Sequence, residues 1–322
     1  MEASFLELAT VPPELATLNT FRNQAAENPV YKEYLALLDI DPSAVTTIDS
    51  IPFMPIEFFK HRRVVTGQGV ETRVFESSRT TGVEPSKHYI LDDEIYRESL
   101  EYGFRQFFGD PAEWCFLALL PSYLERPNAS LVFMMDYLIS KSEHPHSGFY
   151  LDNRNELAAK LILLEKTRQK TMLIGVTFAL LDLAAQYPMP LKNTIIVETG
   201  GMKGRREELT RDELHKILKS SFQLDSICSE YGMTELLSQA WSTGNGIYRT
   251  PSWMQILIRD PYDPFRRMPD GKSGGIDVID LANQFSCSFI QTQDLGRKNS
   301  DGSFEVLGRF DNTELRGCNL LI

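Results

Sequence analysis

Residues 171–198 read Thr171-Met-Leu-Ile-Gly-Val-Thr-Phe-Ala-Leu-Leu-Asp-Leu-Ala-Ala-Gln-Tyr-Pro-Met-Pro-Leu-Lys-Asn-Thr-Ile-Ile-Val-Glu198. The apolar run from Thr171 to Gly175 predicts a strand, and Thr177 to Tyr187 a helix. Asn193 to Glu198 is rich in β-branched residues and predicts a second strand. Strand, helix and strand in so short a span is the pattern of a parallel pair joined by a crossover.

The same alternation extends in both directions. Downstream, Thr210-Arg-Asp-Glu213 has the spacing of a capping box and opens a helix running to about Phe222. Asp225 to Ser229 follows as a strand. Upstream, Asn155 to Gln169 reads as a helix and Cys115 to Leu120 as a short strand. Asp92 to Phe108 reads as an amphipathic helix with Ile95, Leu100, Phe104 and Phe107 on one side. Thr72 to Glu76 is the first strand of the series. From about residue 72 to 230 the expectation is therefore an α/β layered fold with a largely parallel sheet. Ligands of such sheets bind in the loops that follow the carboxyl ends of the strands.

The flanks differ. The first sixty residues look helical and proline-punctuated. Ile51-Pro-Phe-Met-Pro-Ile-Glu-Phe-Phe-Lys60 is apolar and broken by two prolines, which suits an extended packing arm better than a helix. Beyond residue 245, short strands alternate with Pro269-Asp-Gly271, Lys272-Ser-Gly-Gly275 and Ser300-Asp-Gly302, all read as turns. The expected division is a core over 1–244 and a β-rich subdomain over 245–322.

Composition excludes some classes. With 322 residues, 42% hydrophobic and 24% charged, the chain has the make-up of an ordinary globular enzyme. A formal net charge of -11 argues against a nucleic-acid binder or a protein docked on anionic lipid. Cys115, Cys228, Cys287 and Cys318 form no C-x-x-C pair, so a zinc site or redox dithiol is not expected. The N-terminal residues lack the basic start of a signal peptide, and the longest apolar stretch is too short to span a bilayer. A reducing cytoplasm is the expected setting.

Three loops carry residues suited to chemistry. Ser77-Ser-Arg-Thr-Thr-Gly-Val-Glu-Pro-Ser-Lys87 offers the hydroxyls of Ser77, Ser78, Thr80 and Thr81, a flexible Gly82 and the cation of Lys87, a set that can wrap phosphate oxygens. It lacks the P-loop spacing. In Glu230-Tyr-Gly-Met-Thr-Glu235, Tyr231 can stack on a flat heterocycle, Thr234 can meet a phosphate, and Glu235 can hold Mg²⁺ jointly with phosphate oxygens. Thr292-Gln-Asp294 is followed by Leu307-Gly-Arg-Phe-Asp311 and Arg316-Gly317. Asp294 can accept both hydroxyls of a ribose, and Arg309 can support the same sugar or a phosphate. Each stretch alone also fits a surface turn or the end of a strand. His144-Pro-His146, the one close histidine pair, reads as a loop feature, and His88 directly follows Lys87.

In order and spacing these motifs resemble the adenylate-forming superfamily of acyl- and aryl-CoA ligases, within it the phenylacetate-CoA ligase branch, and most nearly the acyl-protein synthetases of bacterial fatty-acid reductase complexes. Glu198-Thr-Gly-Gly-Met-Lys203 and the ending Leu315-Arg-Gly-Cys-Asn-Leu-Leu321 point the same way. The resemblance runs from about residue 75 to the end. It implies a layered αβ sandwich with a small β-rich subdomain towards the C-terminus and without the usual mobile C-terminal domain and its lysine. It implies activation of a carboxylic acid, fatty or aryl, to acyl-AMP with ATP and Mg²⁺, then transfer to a thiol on Cys318, coenzyme A or a carrier protein. Ser77, Ser78, Thr80, Thr81, Gly82 and Lys87 would lie over the phosphates. Gly200 and Gly201 would sit near the adenine, with Tyr231 stacked on it and Gly232 beside it. Thr234 would touch the α-phosphate, Glu235 would hold the metal, and Asp294 and Arg309 would bind the ribose. A reductase or acyltransferase is an implied partner. The chain departs from the pattern at Arg79, where the loop usually has Gly, at Pro85-Ser-Lys87 in place of Pro-Lys, and at Gln293. Two alternatives stay open on the sequence: a catalytically degenerate homologue that binds nucleotide or acyl partner, and a half-enzyme completed by another protein's lysine.

Overall fold

The computed structural model describes residues 13–78, 84–120, 126–200 and 209–310. By its contacts the chain divides into two compact units. One comprises Met1–Tyr96, Glu235–Ser238 and Arg249–Ile322, the other Arg97–Thr234 and Gln239–Tyr248.

The first unit begins with helices α1 (Pro13–Glu27) and α2 (Pro29–Leu37). Asn28 caps α2 by accepting the N–H groups of Val30 and Tyr31, and Pro29 occupies the first turn, where its missing N–H costs nothing. The Asn28 amide also donates to the Ser286 carbonyl, and the Gln24 amide to that of Asn283. Two buried amides thus fasten the helices to the loop before a C-terminal strand. Phe21, Tyr31 and Phe53 converge on Phe289 with ring centroids 5.9–6.1 Å apart, at separations typical of aromatic cores. The proline-broken arm contains a two-residue strand, β1 (Met54–Pro55), and then a single helical turn, α3 (Phe58–His61). The two prolines predict an extended path for this whole segment. Its last residues coil because they lie beyond both prolines, where nothing removes an N–H.

β2 (Arg73–Glu76) and β3 (Lys87–Ile90) form an antiparallel hairpin, with Glu76 opposite Lys87. This corrects the placing of residues 72–76 at the start of the parallel series, because their partner strand lies just across the intervening loop. α4 (Asp93–Phe108) buries Ile95, Leu100 and Phe104, as its periodicity predicts, and leaves Phe107 only half-buried.

The second unit is the layered α/β part. β4 (Cys115–Leu119), α5 (Ser130–Ser142), β5 (Gly148–Phe149), α6 (Arg154–Thr167), β6 (Thr171–Gly175), α7 (Thr177–Gln186), β7 (Thr194–Glu198), α8 (Arg211–Phe222) and β8 (Cys228–Tyr231) follow in turn. The parallel strands stand in the order β5-β4-β6-β7-β8, with Cys115 opposite Thr171 and Thr171 opposite Thr194. Every residue of β4 and β6 is buried, which is why they read as unbroken apolar runs. The capping box at Thr210 is present as expected, with the Thr210 N–H donating to the Glu213 carboxylate. Helix α5 escaped the sequence reading. Ser-Leu-Val-Phe-Met-Met-Asp-Tyr-Leu-Ile-Ser is apolar on most sides and shows little of the alternation that marks an amphipathic helix. β9 (Ala240–Ser242) runs antiparallel to β8, and β10 (Ile247–Arg249) comes next.

The first unit resumes with β11 (Met254–Arg259), β12 (Ser273–Asp280), β13 (Phe289–Lys298) and β14 (Phe304–Arg309), an antiparallel meander that agrees with the expected β-rich region. β1 adds in parallel to β13. Ser273-Gly-Gly275, read as a turn, instead opens β12. A Cβ on Gly274 would collide with the Arg259 carbonyl, and one on Gly275 with the Arg259 guanidinium. These glycines therefore serve close packing against a buried arginine.

Candidate active site

In the second unit the site residues gather where β7 and β8 end. Glu198 is the last residue of β7 and is buried. Its carboxylate accepts the Gly200 N–H at 2.9 Å, which fixes the turn after the strand. Arg211 Nε lies 3.6 Å and His215 Nε2 3.8 Å from it. Burial works against its charge. Hydrogen bonds from His215, Ser229 and the Gly200 N–H, with the charge of Arg211, nevertheless hold the carboxyl below its ordinary range. Tyr231 ends β8 instead of following it, and its ring stands edge-on to Tyr248 at 6.1 Å. Arg211 lies over the Tyr248 ring at 5.3 Å. The Glu230 carboxyl folds back so closely that a Cβ on Gly232 would collide with it. Thr234, at the end of the same segment, is half-buried.

Burial, and then the charge of Glu198, push the Glu230 carboxyl up to about 8. The folded chain therefore holds a proton that the unfolded chain has released at its ordinary value of 4.5. The stability this contributes is complete below about 4.5 and is lost as the pH rises through about 8. Thermal midpoints of the wild type and Glu230→Gln, measured between these limits, should diverge. The wild type should fall relative to the variant as pH rises, and parallel curves would refute the assignment.

In the first unit, Ser77, Lys87, Glu235, Asp294 and Arg309 are placed by the β2–β3 hairpin and the meander. The neck of the hairpin is closed by Ser77 N–H donating to the Ser86 carbonyl at 3.0 Å and by Ser86 N–H donating to Ser77 Oγ at 2.9 Å. The Ser77 hydroxyl is thus engaged in shaping the loop, Ser78 is exposed, and Lys87 is half-buried at the head of β3. Glu235 is only 5% exposed. Its carbonyl accepts from the Asn283 amide at 2.8 Å. Burial pushes its carboxyl up, opposed by a hydrogen bond from the Ser86 hydroxyl and by the charges of Arg309 and Lys60. Thr292 Oγ1 accepts the Asp294 N–H at 3.1 Å and donates to the Ile276 carbonyl at 2.7 Å. Asp294 and Arg309 face one another across β13 and β14, with Arg309 Nε 3.3 Å from Asp294 Oδ1. Arg309 is 81% exposed along its side chain, so the pair adds about 0–1 kcal/mol to stability and leaves the guanidinium accessible. Among the described residues no group of three His, Cys, Asp or Glu is placed to hold a metal.

Thr80, Thr81, Gly82, Gly201 and Cys318 lie outside the described residues. His144 and His146 sit in a loop with rings 5.6 Å apart. His88 is buried edge-on to Phe59 at 5.5 Å. Four residues were missed. Ser86 sat unassigned inside a quoted motif, and Glu198 and Glu230 flank motif residues. Lys60 ended a segment read as a mere packing arm. A charged residue closing an apolar strand, as Glu198 does, is the signal that was present.

The family model "Acyl-protein synthetase, LuxE" matches residues 14–322. The chain belongs to this family. A curated relative, the long-chain-fatty-acid–luciferin-component ligase of Aliivibrio fischeri, is 26% identical over 307 residues, covering 85% of this chain and 78% of its own. Among solved structures, 2-hydroxyisobutyryl-CoA ligase with 2-HIB-AMP and CoA superposes with a TM-score of 0.66 at 12% identity, over 92% of this chain and 69% of that one. ATP-bound MatB from Rhodopseudomonas palustris gives 0.56 at 14% identity over 75% of this chain. This chain spans only about half of MatB, 49% of its length. At these identities the superpositions establish the adenylate-forming fold. Family membership makes the chain an acid–thiol ligase that activates a carboxylic acid with ATP.

Proposed function

We propose that this chain converts a long-chain fatty acid to its acyl-AMP and passes the acyl group to Cys318. The observation that carries the reading is the group formed by Glu235, Ser86, Asp294 and Arg309 in a member of the acyl-protein synthetase family. A carboxylate oxygen of the acid attacks the α-phosphorus of ATP, the bond to the bridging oxygen breaks, and pyrophosphate leaves with the electron pair. The nucleophile is already ionised, so no general base is required. The protein's task is positioning and charge neutralisation. Asp294 accepts the ribose hydroxyls, with Arg309 beside it. Lys87 and the hairpin loop bind phosphate oxygens.

A single buried carboxylate suits Mg²⁺, which is commonly held by one or two carboxylates together with substrate phosphates. Glu235 would be that ligand, and the ion would neutralise charge on the phosphates. In the second step the thiolate sulfur bonds to the acyl carbon and AMP leaves. Cys115, Cys228 and Cys287 are buried, and burial pushes their thiols up to about 11, 11 and 12, values that suit inert thiols. Of the chain's four cysteines, Cys318 is therefore the proposed acceptor. A reductase or acyltransferase that takes the acyl group onward and a cytoplasmic setting belong to the same reading. Among the described residues no helix is long and apolar enough to cross a membrane.

Acid-dependent exchange of labelled pyrophosphate into ATP tests the first step, and its absence across a broad panel of acids would overturn it. Mass spectrometry after incubation with ATP and mixed fatty acids should place one acyl mass on Cys318. Cys318→Ala should lose that mass and keep the exchange. A label that persists in the variant removes Cys318 from the mechanism.

A further inference from the structure

The arm from Ile51 to Lys60 ends among the nucleotide residues of the first unit. β1 lies parallel to β13 with Pro55 opposite Gln291, and the Ile56 N–H donates to the Gln291 carbonyl at 3.0 Å. Glu57 accepts from the amide of Gln293, the residue just before Asp294. Phe59 stands edge-on to His88, the residue just after Lys87. His61 Nδ1 lies 3.5 Å from Glu84, which leads into Ser86 and Lys87. One helical turn is thus held on three sides by immediate neighbours of proposed phosphate and ribose residues. Lys60 projects from that turn, half-buried. Its charge reaches Glu235. Among the described residues it enters no ion pair.

We propose that Lys60 is a phosphate-binding cation of the adenylation site, with the pyrophosphate portion of ATP as its ligand. This rests on the function proposed above. As the α-phosphorus bond to the bridging oxygen breaks, negative charge accumulates on the departing pyrophosphate. An ammonium held on a fixed helical turn stabilises that charge without reorganising. A compact cation on a flexible stem suits a phosphate whose position changes on departure. The prolines gain a purpose in this view. They force Ile51 to Pro55 into an extended path beside β13 and release the chain to coil only at Phe58, so Lys60 emerges at a defined place.

The test compares wild type, Lys60→Ala and Lys60→Arg. Binding of magnesium pyrophosphate, measured by calorimetry without any acid, should weaken about 10- to 100-fold in Lys60→Ala, the range for losing a charged hydrogen bond. Lys60→Arg should recover most of it. Unchanged thermal midpoints would show that the half-buried side chain is not structural. Pyrophosphate affinity in Lys60→Ala within twofold of wild type overturns the proposal. Acid-dependent exchange by the wild type, measured separately, reports on the underlying function, so the two readings fail independently.

Discussion

Glu235→Gln should slow acid-dependent pyrophosphate exchange by about 10²- to 10³-fold, the usual cost of deleting one preorganised charge-stabilising group. The substitution keeps the volume of the side chain and its capacity to accept from Ser86. It leaves the Glu235 carbonyl on the Asn283 amide untouched. What it removes is the negative charge that attracts a divalent cation. Because burial is the leading influence on this carboxyl and pushes it up, the native chain gives up stability to keep the group ionised. The sign follows. The contribution of a raised carboxyl is complete at low pH and is lost as pH rises through its folded value. Glu235→Gln should therefore be as stable as wild type in acid and more stable at pH 8. A variant slower in exchange yet more resistant to heat at alkaline pH separates chemistry from misfolding. Exchange within a few-fold of wild type at saturating Mg²⁺ would remove Glu235 from the catalytic step.

The sequence exposes those parts of this molecule whose causes are local. Thr171 to Gly175 is a buried parallel strand, so its apolar run could be read without knowing any partner. Thr210 and Glu213 bond to one another across three residues, so the cap was legible from spacing alone. Asp294 and Arg309 were paired through a motif, and the register of β13 on β14 sets them side by side. What escaped depends on distant residues. Gly274 and Gly275 look like turn glycines until Arg259 lies across them. Ser86 looks like a defect in a Pro-Lys motif until Glu235 arrives from 149 positions along the chain to accept its hydroxyl hydrogen. Glu230 is abnormal because the fold buries it and sets it on β8 beside the strand that ends in Glu198.

Asp277→Ala should cost about 3–5 kcal/mol, the range for breaking a buried ion pair from one side. Asp277 is fully buried on β12 and holds two guanidinium groups. Arg259 Nη1 lies 2.7 Å from one carboxylate oxygen, and Arg267 Nη1 contacts the other. The two arginines differ in what they can do once the carboxylate is gone. Arg267 is 16% exposed along its side chain and can turn outwards by giving up the Ile51 carbonyl at 3.3 Å and the Phe53 ring at 4.7 Å. Arg259 cannot, because its guanidinium also donates to the Ile276 carbonyl at 2.9 Å and to the Thr292 carbonyl at 2.6 Å, with Phe310 stacked at 5.4 Å. An uncompensated charge would stay inside the meander, and urea unfolding should show the loss as a lower midpoint. The same bonds reach the site, since Thr292 orients the Asp294 N–H. Asp277→Asn, which preserves shape and removes charge, should therefore weaken ATP binding as well as stability. Arg267→Ala should cost less than either Asp277 substitution, because the Arg259–Asp277 pair survives it. A midpoint for Asp277→Ala that corresponds to less than 1 kcal/mol would mean that water enters the cluster and screens Arg259, and the meander would then owe its stability to its buried apolar side chains, Phe289, Ile276 and Val278 among them.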